Sequence, residues 1–255
     1  MNIKGVARKS VNSILNIFDL ELVRTHRWDD PRTYIPFKET ISEAEKAGLS
    51  VGEYIDARYQ SPGATQETID QMAKLGVFNT RIDRVCEIGP GSGRYLEKTF
   101  EVCQPAAYEI YETADDWAKY LLDHFTITCQ PTDGISLAST FSSSIDLVQA
   151  HRVFPYTPFF TAAGYFLEMM RVVKDDGKIV FDITTEDCMD LLNLAKWFAA
   201  GFQSSPYPSF MSKRYVLDIF GKHGFSPVGN FFIVNKPGVT EYFVFTRSKN
   251  PELFL

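Results

Sequence analysis

The chain of 255 residues is long enough for one large domain, or for one domain with a modest cap. Hydrophobic residues make up 45% and aromatic residues 14%, so the sequence can bury a sizeable core and is not a disordered or low-complexity chain. The 32 Asp and Glu residues outnumber the 26 Lys and Arg residues, which gives a net charge of -6. Because a general nucleic-acid binder needs a cationic surface, no nucleic-acid partner is expected.

The cysteines and the apolar segments exclude further classes of protein. The cysteines lie far apart and form no Cys-x-x-Cys pair, so the sequence indicates neither a metal site nor a disulfide framework. The N-terminus lacks the apolar core of a signal peptide, and no stretch approaches the roughly 18 apolar residues of a membrane span. We therefore expect a cytoplasmic protein, and the sequence leaves its oligomeric state open. The cysteines are Cys86, Cys103, Cys129 and Cys188.

The first 27 residues differ from the rest in charge, with five basic against two acidic side chains. Val11, Ile14, Leu15 and Phe18 recur at helical spacing and form one apolar stripe. This pattern predicts a basic amphipathic helix. Such a helix either docks on a membrane surface or a partner enzyme, or packs against the main domain as part of its cap.

The sequence predicts further helices before the first strand, so that residues 1–79 form an N-terminal helical cap. Ser42 and Glu45 have the spacing of a capping box, which is typical of a helix start. Ser50 precedes a second helical segment, and Thr65 opens a third.

From residue 80 onwards, short apolar strands alternate with helices, which implies a parallel sheet with helices on both faces. A short Lys236–Gly238 turn joins the last two strands, so that pair is antiparallel. The expected fold is an α/β domain over residues 80–255, with a mostly parallel seven-stranded sheet and an antiparallel last strand. The strands are predicted at residues 84–88, 108–111, 126–129, 144–148, 178–183, 225–234 and 241–246.

A glycine-rich loop follows the first strand and reads Glu87-Ile-Gly-Pro-Gly-Ser-Gly93. Glycine lets a backbone turn sharply and lets a ligand approach closely, and the next helix offers unpaired N–H groups to an anionic group. Glu87 is placed to accept a hydrogen bond from a ligand ammonium or hydroxyl group. The spacing is neither the dinucleotide-binding Gly-x-Gly-x-x-Gly nor a phosphate-binding P-loop. The alternative is a tight strand–helix turn without a ligand.

This run resembles the acidic-x-Gly-x-Gly-x-Gly motif of S-adenosylmethionine-dependent methyltransferases with the Rossmann-like (class I) fold. The resemblance covers about residues 80–255. It implies that S-adenosyl-L-methionine is the cofactor, that S-adenosyl-L-homocysteine is the product, and that no metal is needed. The loop residues that would contact the cofactor are Glu87, Gly89, Pro90, Gly91 and Gly93.

The resemblance implies two more cofactor contacts. An acidic residue at the end of the second strand would hold the ribose hydroxyls, and both Glu109 and Glu112 qualify. We prefer Glu112, because Glu112–Trp117 is similar to the family's acidic residue followed by a helix start. The two glutamates point to roughly opposite faces of a strand, so only one should face the ligand. After the third strand, Asp133 and Gly134 would meet the adenine. An ordinary turn aspartate is the alternative for Asp133.

The fourth strand runs into His151, and ligands of open parallel sheets bind beyond the carboxyl ends of the strands. A near-neutral imidazole can remove a proton from a hydroxyl acceptor, so His151 is the candidate catalytic base. The alternative is a histidine that bonds its loop or packs on the cofactor. Tyr156 and Asp182 lie at the same predicted rim and are candidate acceptor contacts.

The acceptor is not fixed by the resemblance. Residues 8–24 and 159–182 are similar to segments of methyltransferases that act in bacterial surface-polysaccharide assembly, so we expect O-methylation of a sugar or another small acceptor. A small-molecule N- or C-methyltransferase and a non-catalytic S-adenosylmethionine-binding scaffold are the alternatives. Residues 186–215 are expected to cover the acceptor pocket. The aromatic residues proposed to stack on a sugar are Tyr156, Phe159, Phe160, Trp197, Phe202 and Tyr207.

Overall fold

The structure, a computed structural model, describes residues 35–248 of the chain. The basic amphipathic helix predicted within residues 1–27 lies outside the described residues. Ahead of the first strand, the described part contains three helices: α1 (Phe37–Ala47), α2 (Val51–Tyr59) and α3 (Ala64–Lys74).

The starts of these helices test the capping predictions. At the start of α2, the Ser50 hydroxyl accepts the Glu53 N–H at 3.2 Å, and Glu53 Oε2 accepts the Ser50 N–H at 2.8 Å. Both halves of a capping box are therefore present there. The helix start predicted at Ser42 is wrong, because α1 already begins at Phe37, directly after Pro36, and Ser42 lies inside it.

Seven strands of the described chain form one sheet. They are β1 (Arg84–Ile88), β2 (Ala107–Tyr111), β3 (Thr128–Cys129), β4 (Ile145–Ala150), β5 (Val173–Ile183), β6 (Phe225–Asn235) and β7 (Gly238–Arg247). Their order is β3-β2-β1-β4-β5-β7-β6, with β1 to β5 parallel and β7 antiparallel to both of its neighbours. The predicted α/β fold, with a mostly parallel sheet and an antiparallel last strand, is confirmed.

Helices cover both faces of this sheet. The later helices are α4 (Arg94–Cys103), α5 (Asp115–His124), α6 (Phe159–Val172), α7 (Leu191–Ala199) and α8 (Lys213–Lys222). On one face Val85 packs with apolar side chains of α3, α4 and α5, and on the other Val148 packs with Phe166 of α6 and Phe220 of α8. Because α3 shares a core with β1, the helices before residue 79 are not separated from the sheet by a break in packing. The predicted domain boundary there stays a prediction.

The strand order reverses between β1 and β4, which lead into connections on opposite sides. In open parallel sheets a ligand crevice forms beyond the carboxyl ends of the strands at this point. The segment of residues 186–215 returns to the same edge, since Ser209 N–H donates to the Pro155 carbonyl at 2.6 Å and Met211 N–H donates to the Thr184 carbonyl at 2.9 Å.

Candidate active site

The glycine loop between β1 and α4 has left-handed backbone at Gly89, Gly91 and Gly93, with φ of 59°, 52° and 78°. A Cβ atom at Gly91 would have no heavy atom within 4 Å, whereas one at Gly93 would overlap Leu121 of α5. Gly93 is therefore needed for helix packing. Gly91 borders open space, where a ligand can approach the backbone.

Glu112, directly after β2, is hydrogen-bonded to this loop. Its Oε2 accepts the Gly91 N–H at 2.8 Å, and its Oε1 accepts the Ala114 N–H at 2.8 Å. Burial raises the pKa of Glu112, and the backbone donors at Ala114 and Gly91 oppose that rise. A carboxylate has about four lone-pair sites, so Glu112 keeps acceptor capacity for hydroxyl groups of a ligand.

Glu109, the alternative ribose contact, lies elsewhere in the sheet. Its carboxylate accepts from Gln130 Nε2 at 2.8 Å and from the Thr140 hydroxyl at 2.6 Å, and the residue is buried. The structure thus brings Glu112, and not Glu109, to the glycine loop. The ribose contact itself stays a prediction.

Glu87 is fully buried, and its described hydrogen bonds are to protein side chains. Its Oε2 accepts from the Tyr108 hydroxyl and from Gln149 Nε2, the latter at 3.2 Å. Burial raises the pKa of Glu87 to about 7, although the bonds from Tyr108 and Gln149 oppose the rise. Its predicted contact with the cofactor stays a prediction. The polar Gln149 between the apolar Val148 and Ala150 of β4 was the available sequence signal for this buried network.

Asp133 and Gly134 lie in the loop after β3. The exposed Asp133 already accepts the N–H groups of Ile135 and Ser136 at 2.9 and 2.8 Å, together with the Ser136 hydroxyl at 2.8 Å. These bonds, led by the one from the Ile135 backbone, lower the pKa of Asp133. A Cβ atom at Gly134 would lie 3.7 Å from the Thr113 side chain, so this loop is next to the residue that follows Glu112.

His151, directly after β4, is buried beside the first turn of α4. Its ring stacks on Tyr95 with 4.1 Å between centroids and 12° between planes, and its Nδ1 lies 3.3 Å from the Tyr242 hydroxyl. Its Nε2 is buried and has no hydrogen-bond partner among residues 35–248. Burial, followed by the charges of Arg152 and Arg94, holds the pKa of His151 well below its ordinary value. The imidazole is therefore neutral and has one nitrogen atom to offer a ligand.

Asp182, predicted to contact the acceptor, is instead bound to Arg152. One of its oxygens accepts the Arg152 N–H at 2.7 Å, and the other accepts from the Arg152 guanidinium at 3.1 Å. Arg152 has a left-handed backbone with φ of 62°, a conformation that costs a non-glycine residue free energy unless its surroundings hold it. Asp182, at the end of β5, thus fixes the backbone next to His151. Its direct contact with an acceptor stays a prediction.

A second buried ion pair connects α2 to the site. Arg94 Nη1 donates to Asp56 Oδ1 at 2.6 Å, and Asp56 also accepts from the Thr65 N–H and hydroxyl at 2.9 and 2.8 Å. With its amide oxygen facing the two guanidiniums, Gln60 accepts from Arg94 at 2.6 Å and from Arg152 at 2.9 Å. Sequence reasoning missed this cluster because its members come from three distant parts of the chain.

The aromatic residues proposed for sugar stacking form three ring pairs, and their contact with a sugar stays a prediction. Tyr156 and Tyr207 form one pair, 6.3 Å apart, and Phe159 and Phe160 form another at 5.2 Å. The buried Trp197 and Phe202 form the third pair, with 4.7 Å between ring centroids. The Tyr156 hydroxyl also lies 3.1 Å from Asn235 Oδ1. Trp197 of the third pair packs on Gly238, the register partner of Asn235, so the first and third pairs lie near the same end of the β6–β7 hairpin.

Between residues 35 and 248, no group of three or more His, Cys, Asp or Glu side chains is arranged to hold a metal ion. Within the same residues, no helix has both the length and the apolar character needed to cross a membrane.

Comparison with solved structures identifies the fold class of the chain. No protein-family model and no curated protein matches the sequence. A candidate sarcosine dimethylglycine methyltransferase from Galdieria sulphuraria aligns over 84% of this chain and 100% of its own, with a TM-score of 0.56 and 12% identity. The chain has the class I methyltransferase fold.

Two further solved structures with this fold align over nearly the whole chain. The magnesium protoporphyrin IX methyltransferase of Synechocystis, solved with bound SAH, covers 96% of this chain and 100% of its own at a TM-score of 0.54 and 14% identity. An O-methyltransferase family protein from Burkholderia thailandensis covers 96% and 85% at a TM-score of 0.55 and 13% identity. At such identities the likeness shows the fold alone, and function has to be argued from the site.

Proposed function

We propose that this protein is an S-adenosylmethionine-dependent methyltransferase that methylates an oxygen atom of a small acceptor. The observation that carries the proposal is the hydrogen bond from Gly91 to Glu112, which places an open glycine backbone and a carboxylate side by side at the strand-order reversal. The similar Synechocystis enzyme was solved with SAH, the demethylated form of this cofactor.

The residues present fit such a cofactor. The backbone at Gly89 and Gly91 would hold its amino-acid portion, Glu112 its ribose hydroxyls, and the Asp133–Gly134 loop its adenine. When bound, S-adenosylmethionine supplies a methyl group that its sulfonium already activates, so the protein has only to align the acceptor, exclude water and remove a proton.

His151 is the residue that we assign to proton removal. Its neutral imidazole has an unpartnered buried Nε2, which can take the proton of an acceptor hydroxyl. This need for a base favours an oxygen acceptor over an amine, which can react through its own lone pair. A sugar of the surface-polysaccharide type remains one proposed acceptor class, and Tyr156 one proposed contact to it. An N- or C-methyltransferase is the second candidate.

Calorimetry with S-adenosylhomocysteine tests the cofactor site. Glu112→Gln is expected to weaken binding by roughly tenfold to a hundredfold, because hydrogen bonds to a charged group are lost. Glu109→Gln, three residues earlier and within β2, is the matched control, and its affinity should equal that of the wild type. If only Glu109→Gln weakened binding, the ribose contact would be reassigned to Glu109. If the wild type bound nothing, the proposal would be wrong.

Turnover separates an enzyme from a scaffold that only binds the cofactor. A panel of sugars, phenols, carboxylic acids and amines, scored for S-adenosylhomocysteine release, identifies the acceptor class. With the best acceptor, His151→Gln should lower kcat by about a hundredfold or more while cofactor affinity is kept. Because the pKa of His151 is lowered, the wild type should stay active below pH 6.5. Unchanged kcat in the variant would remove His151 from the role of base.

A further inference from the structure

The hydroxyls of Tyr242 and Tyr95 form a hydrogen-bonded series that begins at His151 Nδ1. We propose that Tyr242 and Tyr95 hold the proton of the neutral His151 ring on Nδ1, so that Nε2 presents its lone pair to the acceptor. Both tyrosines are positioning residues, because they act through His151. This inference rests on the proposed function.

The directions of the hydrogen bonds give the argument. The Tyr242 hydroxyl donates to the Tyr95 hydroxyl at 3.4 Å. A phenol has a single hydrogen, so Tyr242 cannot also donate to His151. The contact of 3.3 Å between Tyr242 and His151 Nδ1 is then satisfied only if Nδ1 carries hydrogen and donates to the tyrosine oxygen. In the neutral ring, Nε2 is consequently the bare nitrogen.

The positions of the three rings are fixed by the sheet and by α4. Tyr242 is fully buried in β7, is paired in register with Asp182 of β5, and stacks on Phe231 of β6 with 4.9 Å between centroids and 1° between planes. Tyr95, in the first turn of α4, stacks on the His151 ring with 4.1 Å between centroids. The ring of His151 thus has little freedom to exchange its two nitrogens by turning over.

Burial and the nearby charges favour Tyr242 as the hydrogen-bond donor and Tyr95 as the acceptor. Burial and the charge of Asp182 raise the pKa of Tyr242 well above its ordinary value, so Tyr242 retains its hydrogen. Burial alone would raise the pKa of Tyr95, but the guanidiniums of Arg94 and Arg152 outweigh it and lower that pKa. Tyr95 is therefore a good acceptor at the end of the series.

The proton balance needs no further reactant. The O–H bond of the acceptor breaks as a bond forms between that hydrogen and His151 Nε2. The electron pair left on oxygen would form the new bond to the methyl carbon, the S–C bond would break with its electron pair staying on sulfur, and S-adenosylhomocysteine would be the leaving group. His151 becomes an imidazolium ion whose Nδ1–H still donates to Tyr242. The proton then leaves from Nε2 to solvent.

Nitrogen NMR of the free protein, labelled with ¹⁵N in its histidines, tests the inference without cofactor or turnover. We expect the His151 ring, assigned by its loss in His151→Gln, to show a protonated Nδ1 and a bare Nε2. Tyr242→Phe keeps the ring stack but removes the hydroxyl, so the Nε2–H form should appear. Tyr111→Phe is the control, because it removes a buried hydroxyl that bonds to Thr140 and not to His151.

Kinetics supply the second measurement. Tyr242→Phe should lower kcat by roughly tenfold or more and leave the Kd of S-adenosylhomocysteine unchanged, because a ring with the wrong nitrogen protonated cannot act as the base. The inference is overturned if the wild-type ring carries its proton on Nε2, or if Tyr242→Phe leaves the tautomer unchanged. The wild-type spectrum decides this even if the variant fails to fold.

The two proposals fail in distinguishable ways. A protein with the expected tautomer that binds no S-adenosylhomocysteine would contradict the proposed function, and with it the catalytic part of this inference. A protein that binds the cofactor and turns over, but carries the His151 proton on Nε2, would contradict only the assignment of Tyr242 and Tyr95.

Discussion

At the scale of single residues, two glycines of one motif are required for different reasons. Gly93 has no room for a side chain because α5 is in contact with it, whereas Gly91 has no protein atom within 4 Å of the place where a Cβ atom would be. Both have a left-handed backbone, so a substitution at either carries the same conformational cost of about 1 kcal/mol. The difference between them is steric.

This contrast gives a prediction about stability. Gly93→Ala should lower the free energy of unfolding more than Gly91→Ala does, and the difference should be about 2 kcal/mol. The reason is that overpacking against Leu121 adds to the backbone strain. Gly91→Ala should instead weaken the binding of S-adenosylhomocysteine. Urea unfolding and calorimetry on both variants check this. Equal losses of stability would mean that Leu121 moves aside at no cost.

Glu87 gives a prediction about pH. Its pKa in the folded protein is about 7, against 4.5 for the ordinary side chain. Between these values the folded state binds more protons than the unfolded state, so the contribution of Glu87 to stability falls as the pH rises from 4.5 to about 7 and stays low above that. Glu87→Gln should therefore be more stable than the wild type above pH 7, by roughly 3 kcal/mol at most.

Urea unfolding at about pH 5 and about pH 8 measures the effect of Glu87→Gln, whose advantage should shrink at the lower pH. Glu101→Gln, on an exposed position of α4, is the control and should show no such dependence. A gain of the same size at both pH values would contradict the assigned titration of Glu87.

The motif residues could be found from the sequence because they follow one another along the chain. Gly89, Gly91 and Gly93 form a spaced run, and His151 follows an apolar strand. Tyr242 and Gln60 could not be found in this way, because each reaches His151 or Arg152 from a distant element. Asp182 lay at the predicted rim, but its engagement with Arg152 depends on a backbone conformation that no local pattern encodes.

At the scale of elements, helix starts were predictable where a side chain alone satisfies the backbone. The Ser50 capping box shows this, because both of its hydrogen bonds form within four residues. The start predicted at Ser42 was wrong because the sequence had the same spacing while the helix had already begun at Phe37. A capping pattern inside a longer helix cannot be told from a real start without knowing where the chain before it packs.

The α2 helix offers a prediction of its own. Asp56 is buried, and it connects α2 to α3 through Thr65 and to α4 through Arg94. Asp56→Asn leaves the Arg94 charge buried without a counter-charge, so we expect a loss of about 3–5 kcal/mol in the free energy of unfolding. Asp70→Asn, at an exposed position of α3, is the control and should have almost no effect. Equal urea midpoints for the two variants would show that the ion pair does not hold α2.

At the scale of the whole molecule, the alternation of strands and helices was enough to predict the layers of the fold. Parallel strands joined by right-handed helical crossovers leave few possible arrangements. The neighbours of β7 were harder to predict from the sequence. The hairpin turn fixes the pairing of β7 with β6, but it does not fix the position of β7 beside β5. The sequence did not predict that α3 packs into the apolar core beside β1, because Ile69 and Met72 are distant from Val85 along the chain.

Ligand binding should stabilise the folded protein as a whole. S-adenosylhomocysteine at about a hundred times its Kd adds about 2.7 kcal/mol, which corresponds to a rise in Tm of roughly 5–10 °C for a chain of this size. Gly91→Val should abolish the rise by filling the open space beside the loop. A thermal shift of equal size in Gly91→Val would mean that the ligand binds away from the glycine loop.

Because β7 runs against its neighbours, its first residues emerge where the parallel strands end, and Tyr242 thereby reaches His151. The opposite rim of the sheet carries none of the groups assigned to chemistry. The exposed bend at residues 104–106, which joins α4 to β2, lies on that remote rim. A fluorophore or affinity tag attached there would therefore leave unchanged the residues proposed to bind the cofactor and to remove the proton.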